Sequence, residues 1–362
     1  MKTGRTIREM ALEIKRQSQA KEDYLVNTGS LVMDVWDNHP MLHLRDASGI
    51  ELVEPLEIQS TAHQQIGDYL EIPRKYYRRM LGEDADLLAY NVNRWLQRNP
   101  EQRMIRTMDG RARAFLSNRY RRIDNLDIAN ITLPIIGEMK DAIYASCELT
   151  DDYMYIKVVN PRLTAEVVPG DVVQGGVIIT NSETGQGSVC VQPLIYRLVC
   201  SNGMVVNDAR TRRYHVGRTT STDDDFQVYS QETLDADDKA FVLKLQDTVR
   251  VAVDEAKFSA VLDKMRLSTE VKLNTADIPA VVKLASSSFK ITETESAGVL
   301  QHLIEGGDLT LYGLANAVTR YSQDVESYDR ATKLEEIGYE VMTMSPKQFQ
   351  AINQMQMVGL AA

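Results

Sequence analysis

Two spacings of hydrophobic residues divide the chain, and the change between them falls near residue 230. Before it, short apolar runs bounded by turn residues predict strands, with stripes at helical spacing between them. The predicted strands are 31–36, 41–44, 104–108, 111–116, 143–149, 153–159, 164–168, 172–180, 188–199 and 203–206. The predicted helices of this part are 5–22, 61–70, 74–81, 84–98 and 124–140. The segment 181–187 carries Ser, Thr and Gly residues and predicts a flexible hairpin loop.

From about residue 233 to the end, the apolar stripes have helical spacing only. Further helices are predicted at 276–289, 293–305, 309–322, 329–342 and 346–357. We therefore expect an α+β fold, with a basic β-hairpin and a mixed or antiparallel sheet among helices in the N-terminal two-thirds, and an all-helical C-terminal third. The two domains are predicted to be 1–228 and 229–362, joined near the acidic run Asp223–Asp225.

Composition restricts the class of protein. Of the 362 residues, 43% are hydrophobic and 25% are charged, which is typical of a folded globular chain. No apolar run is long enough for a transmembrane helix, and the first residues do not resemble a signal peptide. The three cysteines are too few for a disulfide framework. We therefore expect a cytoplasmic protein without a disulfide and without contact to a membrane.

The sequence offers no recognisable catalytic or metal-binding motif. It has neither a P-loop nor a His-Glu-x-x-His pair, and its 5 histidines are scattered. Cys190 and Cys200 are ten positions apart, whereas zinc-ligand pairs usually lie two to four apart. The prediction is a protein that is not an enzyme and that has no cofactor and no bound metal.

One segment departs from the acidic character of the whole. The formal net charge is −10, yet residues 72–122 contain 13 Lys or Arg and 5 Asp or Glu. Asp109-Gly110 predicts a two-residue hairpin turn, which would place Arg106 opposite Arg113, with Arg111 close by. Opposed like charges destabilise a hairpin, so we expect either a bound anion on this face or a covering acidic segment of the chain itself.

Three more basic groups join the hairpin as candidates for phosphate binding. They are Arg119, Tyr120, Arg121 and Arg122 after the hairpin, Arg74, Lys75, Arg78 and Arg79 before it, and Arg212, Arg213 and Arg218 after the last predicted strand. Arginine binds phosphate bidentately, and tyrosine stacks on bases, so the mixture favours single-stranded nucleic acid. In the alternative interpretation, the charges at 74–79 form a solvated face with Tyr76, Tyr77 and Met80 packed inward. The charges at 212–218 would pair with the acidic run.

Three short motifs carry a resemblance to a known family: Phe115–Tyr120 followed by Asp124-Asn125, then Arg197–Met204, and finally Asn316–Arg320. With these motifs the chain resembles the phage/plasmid-like proteins of domain-of-unknown-function family 932, which includes prophage-encoded proteins of enteric bacteria. The resemblance implies a mobile element near DNA-processing or anti-defence genes, and it brings no catalytic residues. The order of basic hairpin, helix and strands is also similar to that of Red-beta/RecT-type single-strand annealing proteins.

Two hypotheses follow. The first is a single-stranded DNA-binding protein of a phage or plasmid, acting in recombination, annealing or replication, whose helical C-terminal part mediates homo-oligomer assembly or recruits partners. The second is an anti-defence or regulatory factor whose acidic surface binds a basic host or phage protein. The hairpin discriminates between them: arginines on an open face favour DNA binding, and arginines buried by acids favour the interaction factor.

Overall fold

The computed structural model describes residues 1–120, 122–207 and 231–354. In chain order its elements are α1 (Ile7–Ala20), β1 (Lys21–Asn27), a 3-10 turn (Thr28–Ser30), β2 (Leu31–Trp36), β3 (His39–Leu44), β4 (Leu56–Ile58), α2 (Ser60–Tyr69), α3 (Arg74–Glu83), α4 (Ala85–Leu96), β5 (Gln102–Met108), β6 (Arg111–Ser117), α5 (Asn125–Glu138), β7 (Ile143–Leu149), β8 (Met154–Glu166), β9 (Val172–Asn181), β10 (Cys190–Arg197), β11 (Asn202–Val205), α6 (Gln231–Ala252), α7 (Glu255–Glu270), α8 (Ile278–Ser288), α9 (Glu293–Gly306), α10 (Leu311–Tyr321), α11 (Tyr328–Met342) and α12 (Pro346–Gln354).

The predicted α+β class is confirmed. Every named strand ends before residue 206, and the elements described from residue 231 onward are the helices α6–α12. The predicted domain boundary after residue 228 and the acidic run Asp223–Asp225 lie outside the described residues.

The first sheet is mixed and has the strand order β1-β5-β6-β4-β3-β2. Its pairs are antiparallel except β4 with β6, which is parallel. Leu31 and Ile105 of the sheet share a hydrophobic core with Ile66, Met80 and Leu88 of α2, α3 and α4. These three helices therefore cover one face of the sheet, and their outer sides carry the polar residues of 60–96.

The second sheet is antiparallel, with the order β11-β10-β9-β8-β7. Val191 faces a core shared with α1, α5 and α6, whereas Leu194 belongs to a core on the opposite side. Both faces of the sheet are thus covered. This explains why hydrophobic and polar residues do not alternate regularly along β10, the strand that contains Val191 and Leu194. Residues of α7–α11 pack against Val173, Ile195 and Met204 in the largest core.

A buried ion pair ties the second sheet to the C-terminal helices. Lys157 of β8 and Glu335 of α11 are both fully buried, with 2.7 Å between Nζ and Oε2. The Lys157 ammonium also lies 4.7 Å from the centre of the Tyr328 ring. Because two charges deep in the protein must compensate each other, this pair fixes how α11 sits on the sheet.

Several predicted boundaries are wrong. The strands predicted at 153–159 and 164–168 form the single strand β8, which has a register shift between residues 160 and 164. The sequence pattern missed β1 and β4. β1 is mostly polar and pairs with the edge of the hairpin, so it lacks the hydrophobic alternation that predicts a strand. β4 has three residues, which is too short for a detectable pattern.

Candidate nucleic-acid interface

The basic hairpin forms as predicted, but its two central arginines are not opposite each other. Arg106 of β5 pairs with Ala114 of β6, and the register shifts immediately after this pair. Arg113 is therefore the additional residue of a β-bulge. The predicted pairing of Arg106 with Arg113 is wrong, because counting pairs outward from the turn cannot reveal an extra residue in one strand.

Both of these arginines are buried by acidic residues of the chain itself. Arg106 is 2% exposed and Arg113 is 5% exposed. Arg106 donates from Nε to Asp23 at 2.8 Å and from Nη2 to Asp124 at 2.7 Å, and Arg113 donates to Glu183 at 3.1 Å. Of the two alternatives for this face, a bound anion or a covering acidic segment of the chain itself, the structure shows the second for Arg106 and Arg113.

These contacts belong to a larger set of charges, which we call the carboxylate network. Its members are Lys21, Asp23, Arg106, Arg113, Asp124 and Glu183. Lys21 Nζ lies 2.7 Å from Asp124 and 3.1 Å from Glu183. Three positive and three negative groups therefore offset one another at the junction of β1, β5, β6 and α5.

Burial and charge act in opposite directions on the pKa values of this network. Burial favours the neutral form of Arg106, but Asp124 and Asp23 outweigh it and raise the pKa of its guanidinium above the usual value. Burial likewise favours the neutral form of Asp124, and Arg106 and Lys21 nevertheless hold the pKa of this carboxyl below 3.8. Both groups are therefore charged at neutral pH.

Glu183 is one of the acids that sequence reasoning did not assign to this site. It lies in the segment 181–187, which was predicted to be a flexible hairpin loop, yet residues 181–184 are buried. Its carboxylate accepts the backbone N–H of Asn125 at 2.7 Å, in the first turn of α5. The loop is held from its other side by Gln65, whose Nε2 donates to the carbonyl of Thr184 at 2.7 Å. Asn125 and Gln65 lie more than 50 positions away from this loop in sequence, so no local sequence pattern predicts these contacts.

The other candidates near the hairpin have different surroundings. Arg111 is exposed and contacts Glu57 at 3.0 Å, and Arg122 is exposed and contacts Asp23 at 3.4 Å. Arg119 is exposed and has no ion pair with any residue that the structure describes. Tyr120 is half-buried against the loop, where its hydroxyl donates to the carbonyl of Ser182 at 3.3 Å.

Burial raises the pKa of Tyr120. Its ring lies against the loop, since a Cβ added to Gly185 would be 3.6 Å from Cε2 of Tyr120. Arg121 lies outside the described residues, as do Arg212, Arg213 and Arg218.

The basic group on α3 is open to solvent. Arg74, Lys75, Arg78 and Arg79 are all exposed. Arg74 pairs with Asp68 and Arg79 with Glu83, each at 2.8 Å, whereas Lys75 and Arg78 have no ion pair within the described part of the chain. The alternative interpretation is confirmed for Tyr77 and Met80, which are buried, and it is wrong for Tyr76, which is 46% exposed.

The following helix also carries exposed aromatic and basic side chains, which sequence reasoning did not identify. Tyr90 is 68% exposed and Trp95 is 43% exposed, and Arg94 and Arg98 are exposed beside them. The Arg98 guanidinium carbon lies 5.1 Å from the centre of the Trp95 ring, a cation–π contact. The signal was present: Leu88, Val92 and Leu96 recur at helical spacing and turn Tyr90 and Arg94 outward.

We define the α3–α4 surface as Arg74, Lys75, Tyr76, Arg78, Arg79, Tyr90, Arg94, Trp95 and Arg98. Both helices place their apolar sides on the core of the first sheet, so these residues lie on the outer side. The surface combines six cations with three partly exposed aromatic rings.

Within 1–120, 122–207 and 231–354, no group of three or more His, Cys, Asp or Glu side chains could hold a metal ion. In the same residues, no helix is long and apolar enough to cross a membrane.

The fold and this surface define an α+β protein with one cluster of buried arginines and one of exposed arginines. A model of the family described as "Domain of unknown function (DUF932)" matches residues 114–351, and the chain belongs to this family. No curated protein matches the chain, and no solved structure matches it either. The architectural similarity to annealing proteins therefore remains a prediction. The match begins within β6, so the α3–α4 surface precedes the family region.

Proposed function

We propose that this protein binds single-stranded nucleic acid through the α3–α4 surface. The observation that carries the proposal is the exposure of Tyr76, Tyr90 and Trp95 among arginines on two consecutive helices. Single exposed aromatic residues are common on protein surfaces, but three of them beside six cations on two consecutive helices form a group that is typical of a binding site. Base stacking and phosphate binding together supply one.

The chemistry of the surface suits a flexible strand better than a duplex. Every base has an aromatic face, and bases of a single strand are free to stack on tyrosine and tryptophan, whereas bases in a duplex are already stacked. Arginine guanidinium groups bind the phosphates between them. The surface shows no motif for reading a base sequence, so we expect little sequence preference.

The ion pairs already present do not block this role. Arg74–Asp68 and Arg79–Glu83 are solvent-exposed, and exposed pairs contribute only about 0–1 kcal/mol to stability. A phosphate can therefore replace the carboxylate on either arginine at low cost. In the setting that the sequence resemblance implies, the protein would be an accessory factor in recombination or replication of a mobile element, and its C-terminal helices would assemble copies of the chain.

The test is a titration of a fluorescent single-stranded oligonucleotide, with the duplex of the same sequence as comparison, over a range of salt concentrations. We expect tighter binding to the single strand. Arg78→Gln should flatten the slope of log affinity against log salt concentration by about 0.7, the value for one lost phosphate contact. The matched control is Arg162→Gln, since Arg162 is an exposed arginine of β8 paired with Asp141 at 2.9 Å. Absence of strand binding at low salt would contradict the proposal.

A second candidate is favoured by a different observation. The acids of the carboxylate network bury Arg106 and Arg113, which was the outcome expected of a regulatory or anti-defence factor that binds a basic protein. This candidate predicts that the wild-type protein binds an arginine-rich peptide and not the oligonucleotide at low ionic strength. The same titration with both probes decides between the two.

A further inference from the structure

A cavity of about 260 Å³ lies beside the α3–α4 surface, between α2 and α3. Two connecting segments of the second sheet complete its wall, through Asp152 and Gln186. The cavity is lined in part by His63, Ile72, Arg74, Tyr77, Arg78 and Leu81. It therefore lies where the first sheet's helices meet the second sheet, and two arginines of the surface belong to its lining.

The cationic part of the cavity fits a phosphate. Arg74 and Arg78 are one helical turn apart on α3, and both are exposed. Arg78 has no carboxylate partner among the described residues, and the partner of Arg74 is the exposed Asp68. Two guanidinium groups at this spacing can bind one phosphate together, with several charge-assisted hydrogen bonds.

The part of the cavity around His63 and Tyr77 is uncharged and partly apolar. His63 and Tyr77 are buried, and His63 Nδ1 lies 2.9 Å from the Tyr77 hydroxyl. Burial lowers the pKa of His63 to about 4, so the imidazole is neutral at physiological pH. Its other nitrogen, Nε2, has no hydrogen-bond partner in the described part of the chain. Ile72 and Leu81 supply apolar lining.

The ring of Tyr77 packs closely against the backbone of α2 at Gly67. A Cβ added to Gly67 would lie 2.8 Å from Cδ2 of Tyr77, because the ring rests directly on the glycine. The position of the ring therefore depends on Gly67, and the buried Tyr77 contributes to the lining of the cavity. Asp152 accepts hydrogen bonds from Thr61 at 2.6 Å and from Thr184 at 3.1 Å, which holds its carboxylate at the wall.

We propose that this cavity binds one nucleotide, with its phosphate on Arg74 and Arg78 and its base against Tyr77, Ile72 and Leu81. His63 Nε2 then makes a hydrogen bond to the edge of the base. The inference rests on the proposed function, since the nucleotide would belong to the strand that lies on the α3–α4 surface. A free nucleotide has the same chemistry, and the experiment separates the two sources.

The experiment measures binding of four probes to the full-length protein by calorimetry: a 5′-mononucleotide, its nucleoside, inorganic phosphate and a single-stranded oligonucleotide. We expect the mononucleotide to bind more tightly than either the nucleoside or phosphate, because only the mononucleotide reaches both parts of the cavity. Arg78→Gln should weaken mononucleotide binding about tenfold, the effect of losing one charge-assisted hydrogen bond.

A second variant tests the base position without removing charge. Leu81 lies partly buried at the lining, so Leu81→Trp fills the cavity and should abolish mononucleotide binding. Arg162→Gln, far from the cavity in sequence and paired with Asp141, should leave it unchanged. Circular dichroism and thermal unfolding of each variant check that the fold is retained.

The outcomes separate this inference from the proposed function. Strand binding without mononucleotide binding, or equal affinity for phosphate and mononucleotide, would overturn the cavity proposal and leave the function standing. Mononucleotide binding without strand binding would overturn the function and keep the cavity as a site for a free nucleotide. Binding of both probes, with both weakened by Leu81→Trp, supports the strand as the source.

Discussion

The carboxylate network and the α3–α4 surface are both rich in arginine, and the fold treats them in opposite ways. Arg106 and Arg113 are almost completely buried and bound to Asp23, Asp124 and Glu183. The arginines of α3 and α4 remain exposed beside aromatic rings. In the sequence, both regions show the same excess of positive charge. Only the position of the acidic residues in the fold decides which arginines are buried in ion pairs and which remain exposed to solvent.

The difference has a physical basis. An arginine that is removed from water needs carboxylates to compensate its charge, so a buried cluster is matched group by group. An exposed arginine keeps its hydration and needs no fixed partner, which leaves it available to a ligand. The two regions should therefore respond differently to the same substitution.

The largest effect is expected in the carboxylate network. Arg106→Ala leaves Asp23 and Asp124 without their main partner in a buried site, and breaking such a pair lowers the free energy of unfolding by about 3–5 kcal/mol. The matched change on the same hairpin is Arg111→Ala, whose exposed pair with Glu57 should contribute less than about 1 kcal/mol. Urea unfolding followed by circular dichroism measures both. An equal decrease in the free energy of unfolding in both variants would show that the buried Arg106 contributes no more to stability than the exposed Arg111.

The second prediction concerns stacking. Tyr90→Ala should weaken binding of a single-stranded oligonucleotide by about 1–3 kcal/mol, because it removes an exposed ring from the α3–α4 surface. Tyr120→Ala is the comparison, since this ring packs against the buried loop and its hydroxyl is bonded to Ser182. It should change the unfolding temperature and leave binding nearly unaffected. Weaker binding by Tyr120→Ala together with unchanged binding by Tyr90→Ala would contradict this prediction and would place the binding site at the hairpin.

Sequence reasoning predicted most of the fold because the fold depends on local patterns. The hairpin turn at Asp109-Gly110 and the helical stripes after residue 231 each depend on residues within a few positions of one another. The bulge at Arg113 was not predicted, because it depends on how two strands pair. The strand β1 was not predicted either, because it forms by pairing with β5 at the edge of the folded hairpin.

The candidate site was less predictable than the fold. Its basic residues were visible in the sequence, but their environment was not. Glu183 lies 70 positions from Arg113 and 162 from Lys21, so nothing local assigns it to the network. Tyr90 and Trp95 could have been placed on the outside of α4 from its stripe of apolar residues. The apolar stripe of α4 predicts which of its side chains are exposed, whereas the burial of Arg106 and Arg113 depends on acids that are distant in sequence.

A third, smaller effect concerns acid pH. The pKa of Asp124 is held below its usual 3.8 by Arg106 and Lys21 against the effect of burial. A carboxyl whose pKa is lowered on folding contributes stability above that usual value, and the contribution is lost as the pH falls through the lowered pKa. Asp124→Asn should therefore make stability less dependent on pH below about 4. Asp68→Asn should change this dependence less, since the pair of Asp68 with Arg74 is exposed and screened by salt. Urea unfolding at a series of pH values measures the difference.

The smallest effect is the coupling within an exposed pair on the proposed binding surface. Arg79 and Glu83 are one helical turn apart on α3 and contact each other at 2.8 Å, and pairs of this kind are coupled by about 0.3–0.5 kcal/mol. A double-mutant cycle with Arg79→Ala and Glu83→Ala measures this coupling from urea unfolding, and high salt should reduce it further. The same cycle on Arg113 and Glu183 should give a coupling several times larger that salt changes little, because both side chains are buried. A large, salt-independent coupling between Arg79 and Glu83 would mean that α3 needs its acid for stability, and a phosphate could then not displace that acid at low cost.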